Sequence, residues 1–153
     1  MAPPKSGYTT SSYFITVNTN KNTSVGSNAI LAIRDRLREL IPDAYGIYEP
    51  NTKTVYSVAN STQIYKVLYS SSIEIARDGR YHLHALLRAA VVYPWKVQLR
   101  FDFLRDELNK TFHEYAPEKD LLHINFKLIY DNALALQLYQ EKQYDYQASE
   151  QVL

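Results

Sequence analysis

The sequence predicts an α+β fold: an antiparallel β-sheet of about five strands with helices packed on it. Three observations carry this. Segments rich in β-branched and aromatic residues outnumber the helical ones and mostly follow one another directly. Helical periodicity is confined to a few stretches, and a proline or polar residues bound them. With 153 residues, 46% of them hydrophobic, the chain is long enough for one domain with a proper core.

The elements follow in order. Residues 1–12, with Pro3, Pro4 and Gly7, read as a disordered lead. Tyr13-Phe14-Ile15-Thr16-Val17-Asn18 is a strand by composition, and the polar run Asn18 to Thr23 is a loop. Ile30, Ile33, Leu37, Leu40 and Ile41 form the apolar stripe of a helix from about Ser27 to Leu40, which Pro42 stops. Tyr45 to Glu49 and Thr54 to Val58 are short strands around the turn-rich Pro50-Asn51-Thr52-Lys53. Tyr65 to Ala76 and Tyr81 to Ala89 form a second hairpin. Leu99, Phe103, Leu104 and Leu108 recur at helical spacing, giving a helix from Leu99 to Lys110, and Pro117 breaks the chain after it. His123 to Ile129 is a strand, and Asp131 or Asn132 caps a helix running to about Lys142. Residues 144–153 read as a polar, tyrosine-rich tail, the start of a linker to a further domain.

Composition narrows the chemistry. The absence of cysteine excludes disulfides and thiolate metal sites and fits a reducing compartment. Met1-Ala2-Pro3-Pro4-Lys5 leads into polar residues, unlike a signal peptide, and no apolar run approaches a membrane span. A net charge of +1 means that any phosphate binding needs local clustering. Fourteen tyrosines are the clearest bias; they serve as base-stacking surfaces or as strand and interface residues.

The most informative motif is His82-Leu83-His84, because it holds two of only four histidines. In a strand, residues i and i+2 share a face, so the two imidazoles project side by side. Such a pair can also be plain polar surface. Glu74 stands on the preceding strand, and the turn decides whether it joins them. A two-residue Asp78-Gly79 turn sets Glu74 opposite Leu83, facing away. A three-residue loop, Arg77-Asp78-Gly79 with Gly79 in the left-handed region, pairs Glu74 with His82. Two imidazoles and a carboxylate then suit Mn²⁺, Mg²⁺ or Zn²⁺ with coordination positions left open.

Tyr139 and Lys142 stand three apart on the last helix. A phenol, with a pKa of about 10, is a poor nucleophile at neutral pH. A neighbouring cation favours the phenolate, and a metal neutralises the charge that develops when it attacks a phosphodiester. Tyr130, Tyr144 and Tyr146 are rival tyrosines.

In this order the pieces resemble the HUH endonuclease domain of replication initiator (Rep) proteins, those of circular single-stranded DNA viruses in particular. Tyr13 to Asn20 resembles the family's first motif, His82-Leu83-His84 its second, and Tyr139 with Lys142 its Tyr-x-x-Lys third. Glu74 stands where the family has its acidic ligand, Asp78-Gly79 matches the turn between them, and His123-Ile124-Asn125-Phe126 is similar to a His-Pro-Asn-Ile stretch of plant-virus members. The likeness runs from Tyr13 to Lys142, with Ile124 in place of proline and extra chain around Lys96–Lys119. No Walker-A loop is present.

The resemblance implies a ferredoxin/RRM-like sheet and an HUH-type nicking domain over residues 13–143. It implies metal-dependent nicking and joining of single-stranded DNA through a 5′-phosphotyrosine, initiating rolling-circle-type replication. Glu74, His82 and His84 would bind Mn²⁺ or Mg²⁺, Tyr139 would attack, and Lys142 would help neutralise the phosphate. Arg77, Arg80, Arg88, Lys96 and Arg100 are candidate contacts to the DNA backbone. The implied partner is single-stranded DNA at a replication origin, in hairpin form. No membrane is expected, and homo-oligomers would form through a further domain. The implied setting is the host nucleus for a viral protein and the cytoplasm otherwise. The alternatives are a non-catalytic single-strand- or origin-binding module of the same fold, with aromatics stacking bases, and a metal-dependent hydrolase that leaves free ends.

Overall fold

The computed structural model describes residues 8–19, 27–60, 62–116, 122–129, 133–143 and 145–153. Among these residues the fold is α+β, with a five-stranded antiparallel sheet, a small second sheet and three helices. In chain order the elements are β1 (Tyr8–Asn18), α1 (Ser27–Ala44), β2 (Tyr45–Glu49), β3 (Thr54–Val58), β4 (Ile64–Ile75) and β5 (Tyr81–Val92). There follow β6 (Val97–Leu99), α2 (Phe101–Tyr115), β7 (His123–Ile129), α3 (Ala133–Glu141) and β8 (Asp145–Gln151). The main sheet runs β7-β1-β5-β4-β8 and the small one β3-β2-β6.

Strand alternation divides the main sheet into two faces. Tyr13, Ile15 and Val17 of β1, Leu83, Ala85, Leu87, Ala89 and Val91 of β5, and Val67, Tyr69 and Ile73 of β4 join Ile30, Ile33, Leu37 and Ile41 of α1 and Leu104, Leu108 and Phe112 of α2 in the core. The opposite face carries Phe14 and Thr16 of β1, His82, His84, Leu86 and Arg88 of β5, and Ser70, Ser72 and Glu74 of β4. Helix α3 lies on this second face, over β4 and β5.

Four expectations are corrected. Pro42 does not stop the first helix; α1 continues to Ala44, since a proline so near the end forfeits only one main-chain bond. Leu99 does not begin the second helix. It pairs with Tyr45 in the small sheet, and α2 starts after Arg100 and runs on to Tyr115. Leu99 coincides with the helical period by chance, and β6 is too short to show a period of its own. Tyr8–Ser12, expected within a disordered lead, belongs to β1 and pairs with Arg88–Val92, while residues 1–7 lie outside the described residues. The polar tail is in part an edge strand, β8, which pairs with β4. Two ion pairs to α1 hold it, Arg34–Asp145 at 3.1 Å and Arg38–Glu150 at 2.5 Å. The expected cap at Asp131 or Asn132, and most of the loop after Asn18, lie outside the described residues.

The β4–β5 turn settles the register. Ala76 N donates to Arg80 O at 2.8 Å and Gly79 N to Ala76 O at 2.9 Å, which closes the three-residue loop Arg77-Asp78-Gly79. Gly79 has φ +84°, the left-handed region, and nothing crowds the position where a Cβ would stand. Gly79→Ala therefore meets a conformational cost and no clash. It should destabilise the protein by about 1 kcal/mol, read as a lower urea midpoint at unchanged slope. An unchanged midpoint would mean that the turn does not depend on the left-handed conformation.

Candidate active site

The loop pairs Glu74 with His82 and sets Ser72 opposite His84. Glu74, His82 and His84 therefore share one face of the sheet, the arrangement that required an odd-length loop. His84 is buried, while Glu74 and His82 are partly so. The Phe14 ring stacks on the His84 imidazole with centroids 5.7 Å apart, fixing the plane of the ring.

Tyr139 reaches this group from α3. Its hydroxyl donates to Glu74 Oε2 at 2.7 Å, and its ring meets His84 edge-on at 5.7 Å. His84 Nε2 lies 3.0 Å from the same carboxylate oxygen. An ionised carboxylate only accepts, so Nε2 is the donor in this contact. The Tyr139 bond, aided by His84, holds the Glu74 carboxyl below the usual glutamate range. The same bond holds Tyr139 above the ordinary phenol value, since losing its proton would set two negative charges side by side. Burial, with Arg80 nearby, lowers His82 and favours the neutral ring that a metal requires.

Glu74 Oε2 thus meets both His84 and Tyr139. Among the described residues, no three His, Cys, Asp or Glu side chains are gathered closely enough to hold an ion as they stand. Glu74, His82 and His84 are nevertheless donors of the kind that a divalent cation takes, on one face of the sheet. His82 Nε2 and His84 Nδ1 are buried without a hydrogen-bond partner, on the face that carries Glu74. An imidazole nitrogen without a hydrogen-bond partner is open to a metal when it carries no proton.

The basic candidates scatter. Arg77 is exposed at the hairpin tip. Arg80 binds Asp78 through Nε at 2.6 Å and donates to Thr19 O at 2.7 Å, bracing the end of β1 against the turn. Arg88 shares the face of His84 and reaches Ser149 Oγ at 3.4 Å. Lys96 and Arg100 lie beyond the far end of β5, and Arg100 donates to Asp43 O at 2.9 Å and covers the Phe103 ring. Lys142 is exposed and stands just past the end of α3, in a turn where its N–H meets Tyr139 O at 3.2 Å.

Of the rival tyrosines, Tyr146 lies on β8 opposite Ser72, on the same face as Glu74, whereas Tyr130 and Tyr144 fall outside the described residues. Sequence reasoning missed two residues here. Phe14 was legible, since alternation with the core residues Tyr13 and Ile15 turns it to the site face. Gln140 was not: a glutamine beside Tyr139 reads as a solvated helix position, yet it is fully buried.

No family model, no curated protein and no solved structure matches this chain. Among the described residues, no helix is long and apolar enough to cross a membrane.

Proposed function

We propose that the chain is a metal-dependent nickase and strand transferase of single-stranded DNA, of the HUH Rep type, working through a 5′-phosphotyrosine. One observation carries the reading. Tyr139 stands 65 residues from Glu74 in sequence, yet its hydroxyl lies 2.7 Å from that carboxylate, on the face that holds both histidines. A nucleophile candidate and a metal-ligand candidate, each named by a separate motif, meet in one place.

The chemistry divides among named atoms. The Tyr139 oxygen attacks the phosphorus, the bond to the 3′ oxygen breaks, and the 5′ phosphate remains on the tyrosine. At rest the Tyr139 hydroxyl donates to Glu74 Oε2; with a metal on Glu74 its proton would pass to solvent, and the leaving 3′ oxygen would take one up. Glu74, His82 and His84 would hold Mn²⁺ or Mg²⁺, which when bound supplies charge against the phosphorane and favours the phenolate. Exposed Lys142 and Arg77 are free to meet the phosphate backbone near the site. Attack by a 3′ hydroxyl on the phosphotyrosine reverses the step and rejoins strands. Replication initiation at an origin hairpin is the setting this chemistry serves.

Single-stranded oligonucleotides should bind at least about tenfold more tightly than a duplex of the same sequence at matched salt, since stacking on aromatics needs unpaired bases. Fluorescence anisotropy measures this, and equal or tighter duplex binding would contradict it. A gel for an SDS-resistant protein–DNA complex, formed with Mn²⁺ and single-stranded hairpin oligonucleotides, tests the reaction itself.

A second reading has an observation of its own. The Glu74 carboxylate, bonded through Oε2 to both His84 and Tyr139, also suits a purely structural cluster in a non-catalytic binding module. Single-strand binding that is indifferent to Mn²⁺, with no cleavage, would select that module.

A further inference from the structure

We infer that Gln140 is the positioning residue that sets where the Tyr139 hydroxyl stands against Glu74 and His84, an inference that rests on the nicking reading above. Apart from the Tyr139 contacts, the described side chains of helix α3 other than Gln140 are half-buried or exposed. Leu134 and Leu138 are 69% and 50% exposed, and Tyr139 itself is 43% exposed, whereas Gln140 is completely buried. The deepest described side chain of the helix is therefore an amide.

All of its polar capacity is directed at the sheet beneath the site. Gln140 Oε1 accepts from Ser70 Oγ at 2.8 Å. Its Nε2 donates to Ser70 O at 3.3 Å and to His84 O at 3.1 Å. Ser70 sits at the irregularity in the β4–β8 ladder, between the paired residues Tyr69 and Ser71. A leucine here could slide over the strands. An amide bonded to two strands cannot, because any slip leaves buried polar groups unpaired. One of those bonds ends on the backbone of His84, so the amide ties α3 to the residue whose imidazole faces Tyr139.

A residue that only anchors α3 would affect stability, while one that positions Tyr139 must affect the attacking step. Gln140→Met keeps the length and loses every bond, and Ser70→Ala loses one. At saturating single-stranded oligonucleotide and Mn²⁺, the rate of covalent adduct formation should fall at least tenfold in Gln140→Met and by a smaller factor in Ser70→Ala. Half-saturating oligonucleotide and Mn²⁺ affinity should stay within about twofold. The second readout needs no reaction: 3-fluorotyrosine at position 139 should show a displaced ¹⁹F resonance in both variants of the metal-free full chain, with the same label at the core residue Tyr69 unmoved. If Gln140→Met does not fold, Ser70→Ala decides. An unmoved resonance at position 139, or wild-type adduct rates, would overturn the inference. No adduct in the wild type would remove the nicking reading instead, and the ¹⁹F comparison would still judge the positioning.

Discussion

Tyr139→Phe should form no covalent protein–DNA complex, a loss of at least about a thousandfold, because the substitution removes the oxygen that bonds to phosphorus and leaves the ring. Folding should be untouched: the side chain is 43% exposed and its edge-on contact with His84 survives. Binding of single-stranded DNA should survive too. The same variant should hold Mn²⁺ about fivefold more tightly. In the wild type a cation must compete with the phenol for Glu74 Oε2, and a partly exposed bond to a carboxylate is worth about 1 kcal/mol. Calorimetric titration of the metal measures this directly. Unchanged or weaker Mn²⁺ binding would mean that Glu74 is not a ligand, and undiminished adduct would mean that another tyrosine attacks. Lys142→Ala, by contrast, should only slow the reaction, since an exposed lysine tunes charge and forms no bond to the phosphate.

His84→Ala should stop cleavage by another route, with Tyr139 still in place. It removes a metal ligand candidate, and Mn²⁺ affinity should drop at least about a hundredfold. It also removes a ring stacked on Phe14 and facing Tyr139, so a loss of stability of about 1–2 kcal/mol should accompany it. Single-stranded DNA should still bind, because phosphate and base contacts do not pass through the metal. Cleavage that persists at the wild-type rate with added Mn²⁺ would exclude the two-histidine site. His82→Ala gives the control: it removes a ligand candidate without a bond to Glu74.

The placement of the candidate residues was more legible in the sequence than the edges of the fold. His82, His84 and Glu74 declare their common face because strand period and glycine chemistry are local rules, and Gly79 satisfies the three-residue loop. The second hairpin and the strand of His123 to Ile129 follow from composition for the same reason. Strand β8 was hidden. Its sequence Asp145 to Gln151 has no apolar alternation, and the Arg34–Asp145 and Arg38–Glu150 pairs that hold it join residues far apart in the chain. Pro42 and Leu99 misled because each imitates a local signal that tertiary context overrides. The backbone contacts read from single arginines fared unevenly. Arg80 is consumed in bracing β1 and Arg100 in holding Asp43, uses that depend on where the chain returns in space. Gln140 is the extreme case, since nothing in Leu138-Tyr139-Gln140-Glu141 marks the glutamine as the buried member.

Peptide mapping of the adduct identifies the attacking residue. The full chain is incubated with Mn²⁺ and a single-stranded hairpin oligonucleotide, digested, and the DNA-linked peptide is sequenced by mass spectrometry. One linked peptide is expected, carrying the 5′ phosphate of the downstream fragment on Tyr139. A link on Tyr146 or Tyr144, or cut DNA with no linked peptide, would contradict it.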